Sequence, residues 1–149
     1  MIYLLCLTII VTIILLLLIT RKSSGMFSVK GGRGRITRAD KNNIVRRWKE
    51  VKKLVKSGGP SQLAQAILKA DKIVDYTLKK LYPRETTNVG QYKKAEEFFK
   101  RKRDYNNLWY AHKVRNEIAH NMDFDLPHAQ AVKVIYKFEK SLKIIGVLK

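Results

Sequence analysis

The chain has 149 residues, room for one domain and an appendage, and carries 31 Lys and Arg against 12 Asp and Glu, a net charge of +19. Such a field excludes a preference for cationic partners and favours polyanions: nucleic acid, anionic lipid headgroups or acidic protein surfaces. The one cysteine, Cys6, excludes an intrachain disulfide framework and is compatible with a reduced compartment.

Residues 2–20 form an uncharged run of 19 with only Thr8, Thr12 and Thr20 interrupting its apolar character. As a helix rising ~1.5 Å per residue it would be about 29 Å long, the thickness of a bilayer core. A cleavable signal peptide is the competing reading. No basic residue precedes the run, it exceeds a usual h-region, and no A-x-A site follows, so a single transmembrane anchor is expected. Arg21, Lys22, Lys30, Arg33, Arg35 and Arg38 follow the span without an acid among them. By the positive-inside rule the amino terminus lies outside and the remainder faces the cytoplasm, from an inner or plasma membrane. Residues 21–38 read as a basic juxtamembrane linker broken by Ser23, Ser24, Gly25, Gly31, Gly32 and Gly34. Its cations suit anionic headgroups; the short G-G-R-G-R piece also suits nucleic acid.

Residues 39–149 form the expected domain. No period-two alternation appears, and five helical patterns follow one another. The first, about Ala39 to Lys56, carries Ile44, Val45, Trp48, Val51, Leu54 and Val55 as one stripe and stops at Ser57-Gly58-Gly59-Pro60. The second, about Ser61 to Tyr82, is the cleanest amphipathic pattern: Leu63, Ala66, Ile67, Ala70, Val74, Leu78 and Leu81. Pro83 to Gly90 is a loop. The third spans about Gln91 to Arg103 and is apolar at Tyr92, Ala95, Phe98 and Phe99. The fourth, Tyr105 to Asn121, has Leu108, Ala111, Ile118 and Met122 at helical spacing. Pro127 opens the fifth, about His128 to Ile145, before Gly146 closes it. Short loops between amphipathic helices predict an all-α bundle.

One anomaly stands out in the fourth helix. Arg115 lies on its apolar stripe, and a guanidinium cannot shed its charge, so burial without a partner costs several kcal/mol. His112, Asn116 and His120, at i, i+4 and i+8, share the neighbouring face. In the second helix Asp71 falls between Ile67 and Val74 on the apolar side, with Asp75 one turn further on. The pairing this predicts is Asp71, or alternatively Asp75, against Arg115. A buried Arg–carboxylate pair that sets helix register would by itself account for these residues. Trp48 and Trp109 are expected in the core, and His128 at a surface helix start. The histidine spacings match no usual metal-ligand pattern, and no phosphate-cradling glycine loop or nucleophile elbow appears, so neither metal nor cofactor is expected.

R-N-E-I-A-H, Arg115 to His120, has the form R-N-x-x-x-H and resembles the signature of the HEPN superfamily of small helical-bundle proteins, many of them RNases. Gly58-Gly59-Pro60, A-D-K-I-V-D from Ala70 to Asp75, and L-W-Y-A-H-K-V-R-N-E-I-A-H from Leu108 to His120 extend the likeness over residues 40–147. The resemblance implies metal-independent cleavage of RNA. His120 would act as acid or base while a ribose 2′-hydroxyl attacks the adjacent phosphate. Arg115 would stabilise the negative charge of the transition state, and Asn116 would orient its neighbours. Because positions 115 and 120 are about 140° apart on an ideal helix, the resemblance also implies a homodimer whose two motifs meet in one cleft. The competing function is a non-catalytic, membrane-tethered scaffold that holds anionic lipid or a protein partner.

Overall fold

The computed structural model describes residues 33–121 and 126–149. Residues 2–20, expected as the anchor, and most of the basic linker lie outside the described residues. No described helix is long and apolar enough to cross a membrane. Among the described residues the chain is all-α: α1 (Arg38–Ser57), α2 (Pro60–Leu81), α3 (Asn88–Lys94), a 3-10 turn (Ala95–Phe98), α4 (Lys102–His120) and α5 (His128–Ile145).

α2 is the central helix, packing against α1, α3, α4 and α5, while α4 also packs on α5. Its position follows from its composition. Leu63, Ala66, Ile67, Ala70, Ile73, Val74, Leu78 and Leu81 are all buried, a stripe wide enough to serve several neighbours. α1 contributes Ile44, Trp48 and Val51, whereas Val45 from the same expected stripe is exposed. α5 contributes Val134, Ile135, Phe138 and Leu142.

The helix ends obey local chemistry. Gly58, at φ 72°, and Gly146, at φ 85°, close α1 and α5 in the left-handed conformation that glycine adopts without a Cβ penalty. Pro60 then opens α2, where its missing N–H costs no intrahelical bond. α1 starts on a capping box. Thr37 Oγ1 accepts from the Asp40 backbone N–H at 3.1 Å, and Asp40 Oδ2 accepts from the Thr37 N–H at 3.0 Å.

Asp40 also ties α1 to α2. The Tyr76 hydroxyl donates to its Oδ1 at 2.5 Å, and Lys80 Nζ lies 3.1 Å away. The hydrogen bonds from Thr37 and Tyr76, with the Lys80 charge, hold this carboxyl far below the usual carboxylate range. A depressed folded pKa contributes stability that is full above the unfolded value of about 4 and is lost as pH falls below it. Asp40→Asn should therefore destabilise the protein at neutral pH. Its deficit relative to wild type should hold steady down to about pH 5 and shrink on further acidification toward about pH 3, as read by urea denaturation.

Two expectations about boundaries need revision. Residues 33–37, read from sequence as the end of the linker, pack on the bundle. The Gly34 N–H donates to Leu81 O at 2.7 Å, Arg33 lies 4.0 Å over the Phe98 ring, and Ile36 packs against the core. Gly34 is a packing residue: a Cβ there would sit 2.0 Å from the Lys80 carbonyl oxygen. Gly34→Ala should thus cost about 1–3 kcal/mol through forced backbone displacement, measured by denaturant titration.

The second revision concerns the third helix, expected to run on to Arg103. It ends at Lys94, tightens into the 3-10 turn, and reaches extended backbone at Phe99, with φ −99° and ψ 110°. The Tyr82 hydroxyl donates to the Lys94 carbonyl at 3.0 Å and lies 2.7 Å from Glu97 Oε1, so the residue that follows α2 fastens the turn at Lys94 and at Glu97. The chain can then turn Phe98 and Phe99 inward against the core before α4 begins.

Candidate functional site

The polar cluster is centred on Asp71, fully buried in α2 between Ile67 and Val74. One turn of helix separates it from each of those neighbours, so its carboxylate emerges into the apolar seam. Three groups from two other helices meet it. From α3, the Tyr92 hydroxyl donates to Oδ1 at 2.8 Å. From α4, His112 Nδ1 lies 2.7 Å from the same oxygen. A carboxylate that is ionised only accepts, so against such an oxygen Nδ1 carries the hydrogen. Also from α4, Arg115 Nε approaches Oδ2 at 3.0 Å.

The Arg115 contact is an ion pair rather than a directed hydrogen bond, since neither Nε–H nor Oδ2 completes one. The guanidinium is tethered again by Nη1, which donates to Asn116 Oδ1 at 2.8 Å. Arg115 keeps 24% of its side chain exposed while Asp71 keeps none. The charge is thus gripped from inside and open along its outer edge.

Aromatic rings wall the cluster. Tyr92 and His112 lie with ring centroids 4.3 Å apart, Tyr92 and Trp109 5.3 Å apart, and Trp109 meets His112 edge-on at 6.2 Å. Burial pushes the Tyr92 hydroxyl well above its ordinary pKa, and the charges of Asp71 and Asp75 push the same way. Tyr92 therefore remains a donor at any physiological pH. Burial, with the neighbouring Asp71 charge, also raises Asp75. Among the described residues its Oδ1 is buried without a hydrogen-bond partner.

The carboxylate that faces Arg115 is thus Asp71, with Asp75 one turn away as a second, unbonded acid. His112 is bonded directly to Asp71. Asn116 is half-buried and bonded to Arg115, whereas His120, the last residue of α4, is exposed. Among the described residues no hydrogen bond or ion pair joins His120 to the Asp71 cluster, as the angle along the helix anticipates. Trp48 is buried, Trp109 is half-buried against the core, and His128 is exposed at the start of α5.

No family model, curated protein or solved structure matches the chain. The likeness to HEPN proteins therefore rests on the motif residues themselves. Sequence reasoning missed Tyr92, counted there only as an apolar position. The available signal was chemical: a tyrosine in a core stripe brings a hydroxyl that needs a partner, and Asp71, the acid expected opposite Arg115, has a second oxygen to accept it.

Proposed function

We propose that this is a membrane-anchored HEPN-like protein that binds RNA and cleaves it without a metal, at a cleft shared between two copies. The anchor is residues 2–20, single-pass with the amino terminus outside, and the helical domain works on the cytoplasmic side. Anionic headgroups hold the basic linker. In the cleft, His120 moves the proton of the attacking 2′-hydroxyl or of the leaving 5′-oxygen. Arg115 meets the charge that builds on the phosphate, and Asn116 fixes the guanidinium plane.

The observation that carries this reading is the state of Arg115. A catalytic cation must be held still and yet reach substrate. Asp71 and Asn116 hold two of its nitrogens while its outer edge meets solvent, five residues from an exposed imidazole. The full +19 chain would gather RNA around that point.

The second reading is a non-catalytic scaffold for lipid or protein. It is favoured by the buried Asp71–Arg115 ion pair, which gives Arg115 a structural occupation. The deciding experiment incubates the full chain, in non-ionic detergent with EDTA, with end-labelled RNA. Cleavage to 2′,3′-cyclic phosphate ends that disappears in His120→Ala supports the nuclease. Intact RNA with folded, dimeric protein leaves the scaffold.

A further inference from the structure

A hollow of about 600 Å³ lies between α4 and α5, on another face of α4 from the Asp71 cluster. Lys102, Arg103, Lys133 and Lys137 line it, and no acid does. A smaller hollow of about 180 Å³ continues it, with Asn107, Lys133 and Lys137 common to both. The one carboxylate there, Asp104, is occupied by Lys140 at 2.7 Å. Lys102 is paired with Glu96, whereas among the described residues no ion pair engages Arg103, Lys133 or Lys137, so the cationic charge of those three is unopposed.

Its aromatic content sets it apart from the other basic surfaces. Among the described residues four large hydrophobic side chains are strongly exposed, and the two aromatic ones, Tyr110 at 39% and Tyr136 at 62%, both line this groove. Tyr110 is held in place: its hydroxyl accepts from Gln130 Nε2 at 3.0 Å, and Lys137 Nζ sits 5.3 Å from its ring centroid. Side-chain amides at Asn106 and Gln130 complete the lining.

The geometry points to a binding track for single-stranded RNA, in which Arg103, Lys133 and Lys137 take phosphates and Tyr110 and Tyr136 stack on unpaired bases. Lipid headgroups would use the charge alone. Exposed rings beside cations in a concave groove are what a single strand requires, because every base offers a π-face. On an ideal helix Tyr110 and His120 are about 15 Å apart along the axis and about 80° apart around it, so a strand on this track runs on toward the imidazole. The inference deepens the proposed function and rests on it for RNA as the ligand, but it does not require turnover.

The test measures fluorescence anisotropy of a labelled, 2′-O-methylated RNA strand, which lacks the attacking hydroxyl, against the full chain in non-ionic detergent. Arg103→Gln with Lys133→Gln should weaken binding about ten-fold and lower the slope of log K against log salt by about 1.4, two phosphates at about 0.7 each. Lys49→Gln with Lys53→Gln removes the same net charge from α1 and should change affinity no more than about two-fold. Tyr136→Ala, an exposed position whose loss leaves the fold intact, should weaken binding about five-fold or more with the salt slope unchanged. Equal weakening by the two charge pairs, wild-type affinity in Tyr136→Ala, or equal binding of duplex RNA would each overturn the track. So would binding to anionic phospholipid vesicles that falls with the groove pair while strand binding does not. Because the strand cannot be cut, failure of the nuclease reading shows only in the cleavage assay, and failure of the track only here.

Discussion

Asp71→Ala should destabilise the protein by about 3 kcal/mol, the lower end of the range for breaking a buried ion pair from one side. The substitution removes the acceptor of two hydrogen bonds, from Tyr92 Oη and His112 Nδ1, and the ion-pair partner of Arg115. They do not contribute equally. Arg115 is partly exposed, so its freed guanidinium can turn toward water and recover much of its solvation. Tyr92 and His112 cannot, because each is buried and they lie ring against ring. The larger share of the cost thus comes from two unmet hydrogen bonds, about 1–3 kcal/mol for each buried group. Asp71→Asn, which keeps one acceptor oxygen but no charge, should lose less. Urea denaturation of both variants checks the order, and a double-mutant cycle with Arg115→Gln isolates the ionic coupling. A loss below about 1 kcal/mol for Asp71→Ala would mean that the network does not hold the helices together.

That network was legible in the sequence wherever it broke a period. Asp71 and Arg115 each occupy an apolar position of an otherwise regular helix, so their pairing follows from the cost of leaving either alone. Tyr92 broke no period, because a tyrosine satisfies an apolar stripe with its ring and conceals its hydroxyl. The same limit applies to boundaries. Thr37 and Asp40 make a capping box, yet their spacing lay inside a stretch whose glycines and arginines suggested a tether. Gly34 looked like a residue chosen for freedom, when its role is to let the backbone approach Lys80 O. The break after Lys94 goes with a hydroxyl reaching from Tyr82 at the end of α2, a contact between residues 12 apart that no local pattern encodes. Long-range polar contacts to carbonyls leave no periodic mark. The exposure of His120, by contrast, is helix geometry: it lies about 140° round from Arg115, which faces the core.

The same angle dictates the outcome expected of the cleavage chemistry. His120→Ala should lower RNA cleavage by about 10²–10⁴-fold, the usual contribution of a positioned acid or base. Because the side chain is exposed, stability should stay within about 0.5 kcal/mol of wild type. Arg115→Ala should abolish cleavage too, but with a loss of stability, since it leaves Asp71 buried and uncompensated. Arg115→Lys keeps the charge and loses the planar fork, so it should recover more stability than activity.

A site in which one copy supplies the arginine and the other the imidazole makes a further demand. When equal amounts of Arg115→Ala and His120→Ala chains are mixed and allowed to exchange, half the dimers are heterodimers. Each of these holds one cleft with both native side chains and one with neither. Activity should return to about one quarter of wild type from two parents that have essentially none. A cleft built within one copy allows no such recovery, since every chain in the mixture lacks one member. If the mixture stays as inactive as its parents while exchange is verified by differently tagged chains, the shared cleft is wrong. Arg115 and His120 would then act from within a single copy.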